Sequence, residues 1–181
     1  ANAFERTGAN DVPVNDYFAG PVTTTLMTEL AVSFVKSVVN ATTGENPGAN
    51  ATPGDTLHYT LVLSNDSVAP LTNASLVDEL AAEFAAGTLQ LISVSDPAAD
   101  NTNTSVTGGT NGTGIVDIRN LNLAAQGNPG DSVTIEFEAT LVPSIDSGTS
   151  VLNHAVVSGD NLSAATSNET CLLYTSDAAD E

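Results

Sequence analysis

"SVTIEFEATLV", residues 132–142, places Val133, Ile135, Phe137, Ala139 and Leu141 on one side of an extended chain and Thr134, Glu136, Glu138 and Thr140 on the other. A two-residue period sustained over this length specifies a strand in a sheet with one buried face and one wet face. The same pattern extends outward in both directions. In "TLHYTLVLSN" (56–65), Leu57, Tyr59, Leu61 and Leu63 alternate with polar positions, and "LTNASLVDEL" (71–80), "TLQLISVSD" (88–96), "GIVDIRNLNL" (114–123) and "SVLNHAVVSG" (150–159) continue the series. Two strands are introduced by the same signal, "TPGD" (52–55) and "NPGD" (128–131). In each, Pro fixes φ at the first central position of a turn and Gly supplies positive φ at the second. Only "DELAAEFAA" (78–86) has helix-forming composition, and its length suits a connection. The fold expected is all-β, an immunoglobulin-like antiparallel β-sandwich with an extended N-terminal segment.

The chain has 181 residues, 22 acidic against 3 basic, for a formal charge of -19; it is 41% hydrophobic but only 4% aromatic and has no Trp. Its cations are Arg6, Lys36 and Arg119, too few for the clustered phosphate contacts that nucleic acid demands. The acidity suits a solvated, self-repelling surface on a secreted protein. No apolar run reaches the length of a membrane span, so no membrane insertion is expected in this segment.

Residues 1–10, "ANAFERTGAN", can be laid over residues 152–161, "LNHAVVSGDN", with Gly8 on Gly159 and Asn10 on Asn161. Residues 1–27 are therefore expected to hold the end of a preceding repeat plus a Pro-bearing linker, mobile or paired along an exposed edge. Residues 28–170 would form the sandwich. The final stretch "CLLYTSDAADE" (171–181) resembles a translated sequencing adapter and is expected to be a non-biological tail. Without it the chain has no cysteine, and so neither a disulfide nor a thiolate metal site.

The succession "VSFVKSV", "PGDTLHYTLVLSN", "NASLVDEL", "PGDSVTIEFEATLV" and "VLNHAVVSG" resembles the repeat of prokaryotic surface proteins known as domain of unknown function eleven, over roughly residues 28–165. One departure is "AAEF" after the Asp-x-Leu element, where that family usually has Pro. The resemblance implies an immunoglobulin-like module of long, repeat-built cell-surface proteins, and no known ligand.

Candidate sites are few. His58 and His154 fall on the less apolar strand faces, with no partner suited to zinc. Asp96 and Asp100, in "SDPAADNTNTS", are weak calcium candidates, because the loop lacks the dense alternating donors of an EF-hand; no other cofactor is expected. Eight Asn-x-Ser/Thr sequons occur, at Asn40, Asn50, Asn65, Asn73, Asn103, Asn111, Asn161 and Asn168.

Three polar residues sit on apolar faces: Lys36 with Val32, Phe34 and Val38; Asp78 with Leu76 and Leu80; and Asn153 with Val151, Ala155 and Val157. A lone buried ammonium would cost several kcal/mol. Three arrangements answer that cost: a buried Lys36–Asp78 ion pair beside Asn153, a strand register that exposes Lys36, or a covalent one. In the last, burial neutralises the amine and the acid, Lys36 attacks the Asn153 carboxamide with Asp78 as proton shuttle, and an isopeptide bond replaces ammonia. Related collagen-adhesin B-type surface domains use such Lys–Asn bonds, and this chemistry is carried here by analogy.

These readings converge on a non-enzymatic stalk or spacer module of an extracellular or cell-surface tandem-repeat protein, whose signal peptide lies outside this segment. Its partners would be neighbouring repeats of the same polypeptide, and other copies in a filament. The alternatives are a glycan- or calcium-binding adhesive module and a strand-exchange filament subunit.

Overall fold

The computed structural model describes residues 30–175, which are all-β. The strands are β1 (Val32–Asn40), β2 (Asn50–Ala51), β3 (Thr56–Asn65), β4 (Leu71–Glu79), β5 (Gln90–Val94), β6 (Ile115–Leu123), β7 (Ser132–Thr140), β8 (Ser150–Asn153), β9 (Val156–Gly159), β10 (Leu162–Thr166) and β11 (Thr170–Tyr174). They form a sheet ordered β1-β3-β7-β5, a second ordered β10-β9-β4-β6, and a smaller one ordered β2-β11-β8. All pairings between strands are antiparallel except β2 with β11. This is the sandwich expected from the alternating pattern.

That alternation sets the core directly. On β7, Val133, Ile135, Phe137 and Ala139 are buried, and across the β3 ladder they meet Leu63, Leu61, Tyr59 and Leu57, also buried. The polar face carries His58 between Glu136 and Glu138, with His58 Nδ1 3.1 Å from Glu138 Oε1. Truncating one of the central side chains, such as Ile135, would leave a cavity at a cost of about 2–5 kcal/mol. Both Pro-Gly signals are tight turns: Asp55 N–H donates to Thr52 O and Asp131 N–H to Asn128 O, each at 3.1 Å, with Gly54 at φ 78 and Gly130 at φ 86. Residues 81–87 form turns between β4 and β5, as a short connection should.

Two features differ from the sequence reading. "SVLNHAVVSG" is two strands, because the chain leaves β8 in one sheet, passes His154 and Ala155 outside either ladder, and joins the other sheet as β9. The switch keeps Val151, Asn153, Ala155 and Val157 all buried, so the two-residue period gave no sign of it. The sandwich also runs past residue 170: β11 pairs with β8 through Leu173, and Leu172 and Tyr174 are buried. The expected mobility or edge pairing of residues 1–27 lies outside the described residues.

Candidate functional site

Each of the three sheets supplies one polar residue to a single point in the core. Lys36 comes from edge strand β1, Asp78 from β4 and Asn153 from β8, and they are 2%, 0% and 2% exposed. The register that would expose Lys36 is thereby excluded. Burial follows from local pattern: each residue occupies an inward position of a strand whose neighbours, Ser37, Glu79 and His154, are exposed. Asn153 lies on β8, before the sheet switch, and the last described strand, β11, runs beside it, with Thr170 opposite Asn153 and Thr170 Oγ1 donating to Asn153 O at 3.1 Å.

Lys36 Nζ donates to Asp78 Oδ2 in a fully buried pair. Aromatic rings floor the site. The ammonium lies 4.7 Å from the Tyr59 ring centroid and 5.5 Å from that of Phe137. Tyr59 stacks on Phe137 at 5.0 Å and meets Phe84 edge-on at 6.2 Å, which fixes the ring under the amine. Four buried atoms here lack a hydrogen-bond partner in the protein: Asp78 Oδ1, Tyr59 Oη, and both Nδ2 and Oδ1 of Asn153. An unmade buried hydrogen bond costs about 1–3 kcal/mol, so four in one place is a concentrated expense.

Burial shifts both groups of the pair toward their neutral forms. Desolvation lowers the Lys36 pKa to about 8, against the opposing attraction of Asp78. Desolvation likewise raises the Asp78 carboxyl, opposed chiefly by Lys36 and, less, by the adjacent Asn153 carboxamide. Burial and the nearby Asp78 push the Tyr59 hydroxyl far up, with partial relief from Asn153 and Thr170. Asn153 is thus close enough to be felt by both groups while completing a full hydrogen bond with neither. An amine, a carboxyl that can hold a proton and an uncommitted carboxamide are the reactants of a transamidation that expels ammonia.

Sequence reasoning assigned Tyr59 only to the apolar face, though its hydroxyl on an inward position was the available sign. It also missed the segment that braces the site. Ser167 Oγ accepts from Ala155 N–H at 3.0 Å, and the Asn168 carboxamide bonds both the N–H and the C=O of Lys36; "TSNET" carries no periodic signal to reveal this.

The other candidates stand apart. Asp96 Oδ1 accepts from Ala98 N–H and Asp100 Oδ1 from Thr102 N–H, each at 2.9 Å, so both carboxylates close local turns. Among the described residues no group of three or more His, Cys, Asp or Glu is arranged to hold a metal ion. Arg119 is committed to Asp117 through two bonds of 3.0 and 2.8 Å.

No protein family profile and no curated protein matches the chain. Solved structures do. The major pilin SpaA of Corynebacterium diphtheriae, described as pointing to a modular pilus assembly and stabilizing isopeptide bonds, is 15% identical with a TM-score of 0.51, over 80% of this chain and 39% of that one. The major pilin subunit BcpA of Bacillus cereus is 12% identical with a TM-score of 0.49, over 80% and 41%. The Actinomyces fimbrial adhesin FimA is 16% identical with a TM-score of 0.46, over 77% and 56%. The chain spans less than two thirds of the length of each. At these identities the likeness to SpaA is one of fold, the β-sandwich.

Proposed function

We propose that this chain is a structural module of an extracellular or cell-surface filament, a stalk or spacer rather than an enzyme, locked by an isopeptide bond between Lys36 and Asn153. The observation that carries the reading is the unpartnered Asn153 carboxamide, buried beside the Lys36–Asp78 pair. The fold shared with SpaA supports the filament role by analogy. So does the strongly acidic composition, with the exposed Arg119 tied to Asp117.

The chemistry balances within the site. Lys36 passes a proton to Asp78, and the neutral amine attacks Asn153 Cγ, forming the C–N bond and placing charge on Oδ1. Asp78 gives its proton to Nδ2 and takes one from the attacking nitrogen. The Cγ–Nδ2 bond breaks, ammonia leaves, and Asp78, which began as a carboxylate, ends protonated with the proton that Lys36 lost. The product no longer carries the charge whose burial was costly. It also closes a loop of more than a hundred residues between β1 and β8, worth about 4–5 kcal/mol if it acts as a disulfide does on the unfolded chain.

Intact-mass spectrometry of the purified domain tests this. The wild type should be lighter than its sequence by one ammonia, and Lys36→Ala, Asn153→Ala and Asp78→Ala should each have full mass. A wild type of full mass refutes the cross-link.

A further inference from the structure

Tyr59 is the one member of the site whose polar group the reaction above does not use. Its ring is explained by its contacts with Phe84, Phe137 and Lys36. Its hydroxyl is not: it is fully buried, has no hydrogen-bond partner, and lies against the side chains of Asn153 and Thr170. A Phe at this position would keep every ring contact and remove the orphan.

The four orphaned atoms are complementary. Tyr59 Oη offers an O–H donor, Asp78 Oδ1 exchanges protons, and Asn153 presents one acceptor and one donor end. A carboxamide with Oδ1 toward Tyr59 and Nδ2 toward Asp78 would set a donor against an acceptor on each side. It would also put the leaving nitrogen beside the group that must protonate it. We propose that Tyr59 is a catalytic residue of the cross-linking reaction, its O–H donating to Asn153 Oδ1 as negative charge develops there. This rests on the isopeptide reading above. The donor is held by a stacked ring at a fully buried position, so it needs little reorganisation as the charge forms, the condition under which such donors count most. The proton stays on Tyr59 throughout, because burial beside Asp78 strongly disfavours the phenolate.

The test is the rate at which ammonia is lost, followed by intact mass after cell-free synthesis of the full 181-residue chain, for wild type and Tyr59→Phe. Loss of one oxyanion donor typically slows reactions by about a hundredfold or more, and a slowing of at least tenfold is expected here. Folding is controlled by adding Tyr59→Phe to the unlinked Lys36→Ala chain, where it should leave the denaturation midpoint unchanged or raised. Tyr59→Phe cross-linking at the wild-type rate would overturn the proposal, as would slow cross-linking with a lowered midpoint in the control, which would assign the effect to packing. A wild type that never loses ammonia would instead refute the cross-link itself.

Discussion

The side chain of Asn168 holds both main-chain polar groups of Lys36: Oδ1 accepts from the Lys36 N–H at 2.7 Å, and Nδ2 donates to the Lys36 C=O at 2.8 Å. β1 is the edge of its sheet, and the carboxamide acts as one rung of a missing neighbour. Two residues later Thr170 bonds Asn153 O, so a single short segment sets the amine and the carboxamide relative to each other. Asn168→Ala should destabilise the unlinked Lys36→Ala chain by about 1–2 kcal/mol, two partly solvated hydrogen bonds, in denaturant unfolding. In the otherwise wild-type chain it should lower the fraction that has lost ammonia.

Among unlinked chains, the buried pair should show the asymmetry of buried ions. With Asn153→Ala as the reference, adding Asp78→Ala strands the Lys36 amine and should cost about 3–5 kcal/mol, whereas replacing both partners, as Lys36→Met with Asp78→Leu, should recover most of that. Denaturation midpoints for the three chains decide the matter; equal losses for the single and double replacements would show that the pair is not desolvated as described.

The alternation in β1, β3, β4, β7 and β8 made the sandwich and the inward placement of Lys36, Asp78 and Asn153 legible, because a strand's side chains have only two directions. What stayed hidden depends on long-range pairing. Nothing local distinguishes β8 from β9, since burial continues unbroken across the sheet switch at His154 and Ala155. Nor does "TSNET" announce that Asn168 will reach Lys36, 132 residues away. Tyr59 was visible as a core residue, but the want of a partner for its hydroxyl emerges only once three sheets converge.

The sequons divide by structure. Asn40 and Asn65 are 1% exposed, with Nδ2 donating to Asp55 and Asn50 in one case and to Ala69 and Ala124 in the other. Glycosylation uses that same nitrogen. A chain secreted from a glycosylating host should therefore carry no glycan at Asn40 or Asn65 in its folded fraction, while the exposed Asn103 should be open to modification. Glycopeptide mapping reads each site separately.

Calcium should have little purchase on the Asp96–Asp100 loop. Each carboxylate already caps a turn, and the bond from Thr102 holds Asp100 below the usual carboxylate range in pKa. Millimolar calcium should leave the melting temperature unchanged; a marked rise, by mass action on the folded state, would favour the adhesive, ion-binding alternative.

The pH dependence of stability separates the linked from the unlinked chain. In Asn153→Ala the Lys36 amine persists, and its lowered pKa owes nothing to Asn153, since burial lowers it and Asp78 alone opposes. A folded pKa of about 8 against 10.5 unfolded means that between these values the unfolded state binds the extra proton, so stability should rise with pH across that window. The rise should total about 3 kcal/mol, because each step of one in pH across the window adds about 1.4 kcal/mol. Asp78 works in the opposite sense. Its raised folded pKa makes the folded state the better proton binder above 3.8, so stability should fall as pH climbs from there through the folded value, and removing Asn153, which held that pKa down, should strengthen the effect. With the proposed cross-link in place the wild-type Lys36 nitrogen would be an amide that does not titrate, so the alkaline rise should vanish. Guanidinium unfolding of both chains between pH 8 and 10.5, with Lys36→Met/Asn153→Ala as the baseline, measures the difference directly. An alkaline rise of equal size in wild type and Asn153→Ala would mean that Lys36 is never consumed.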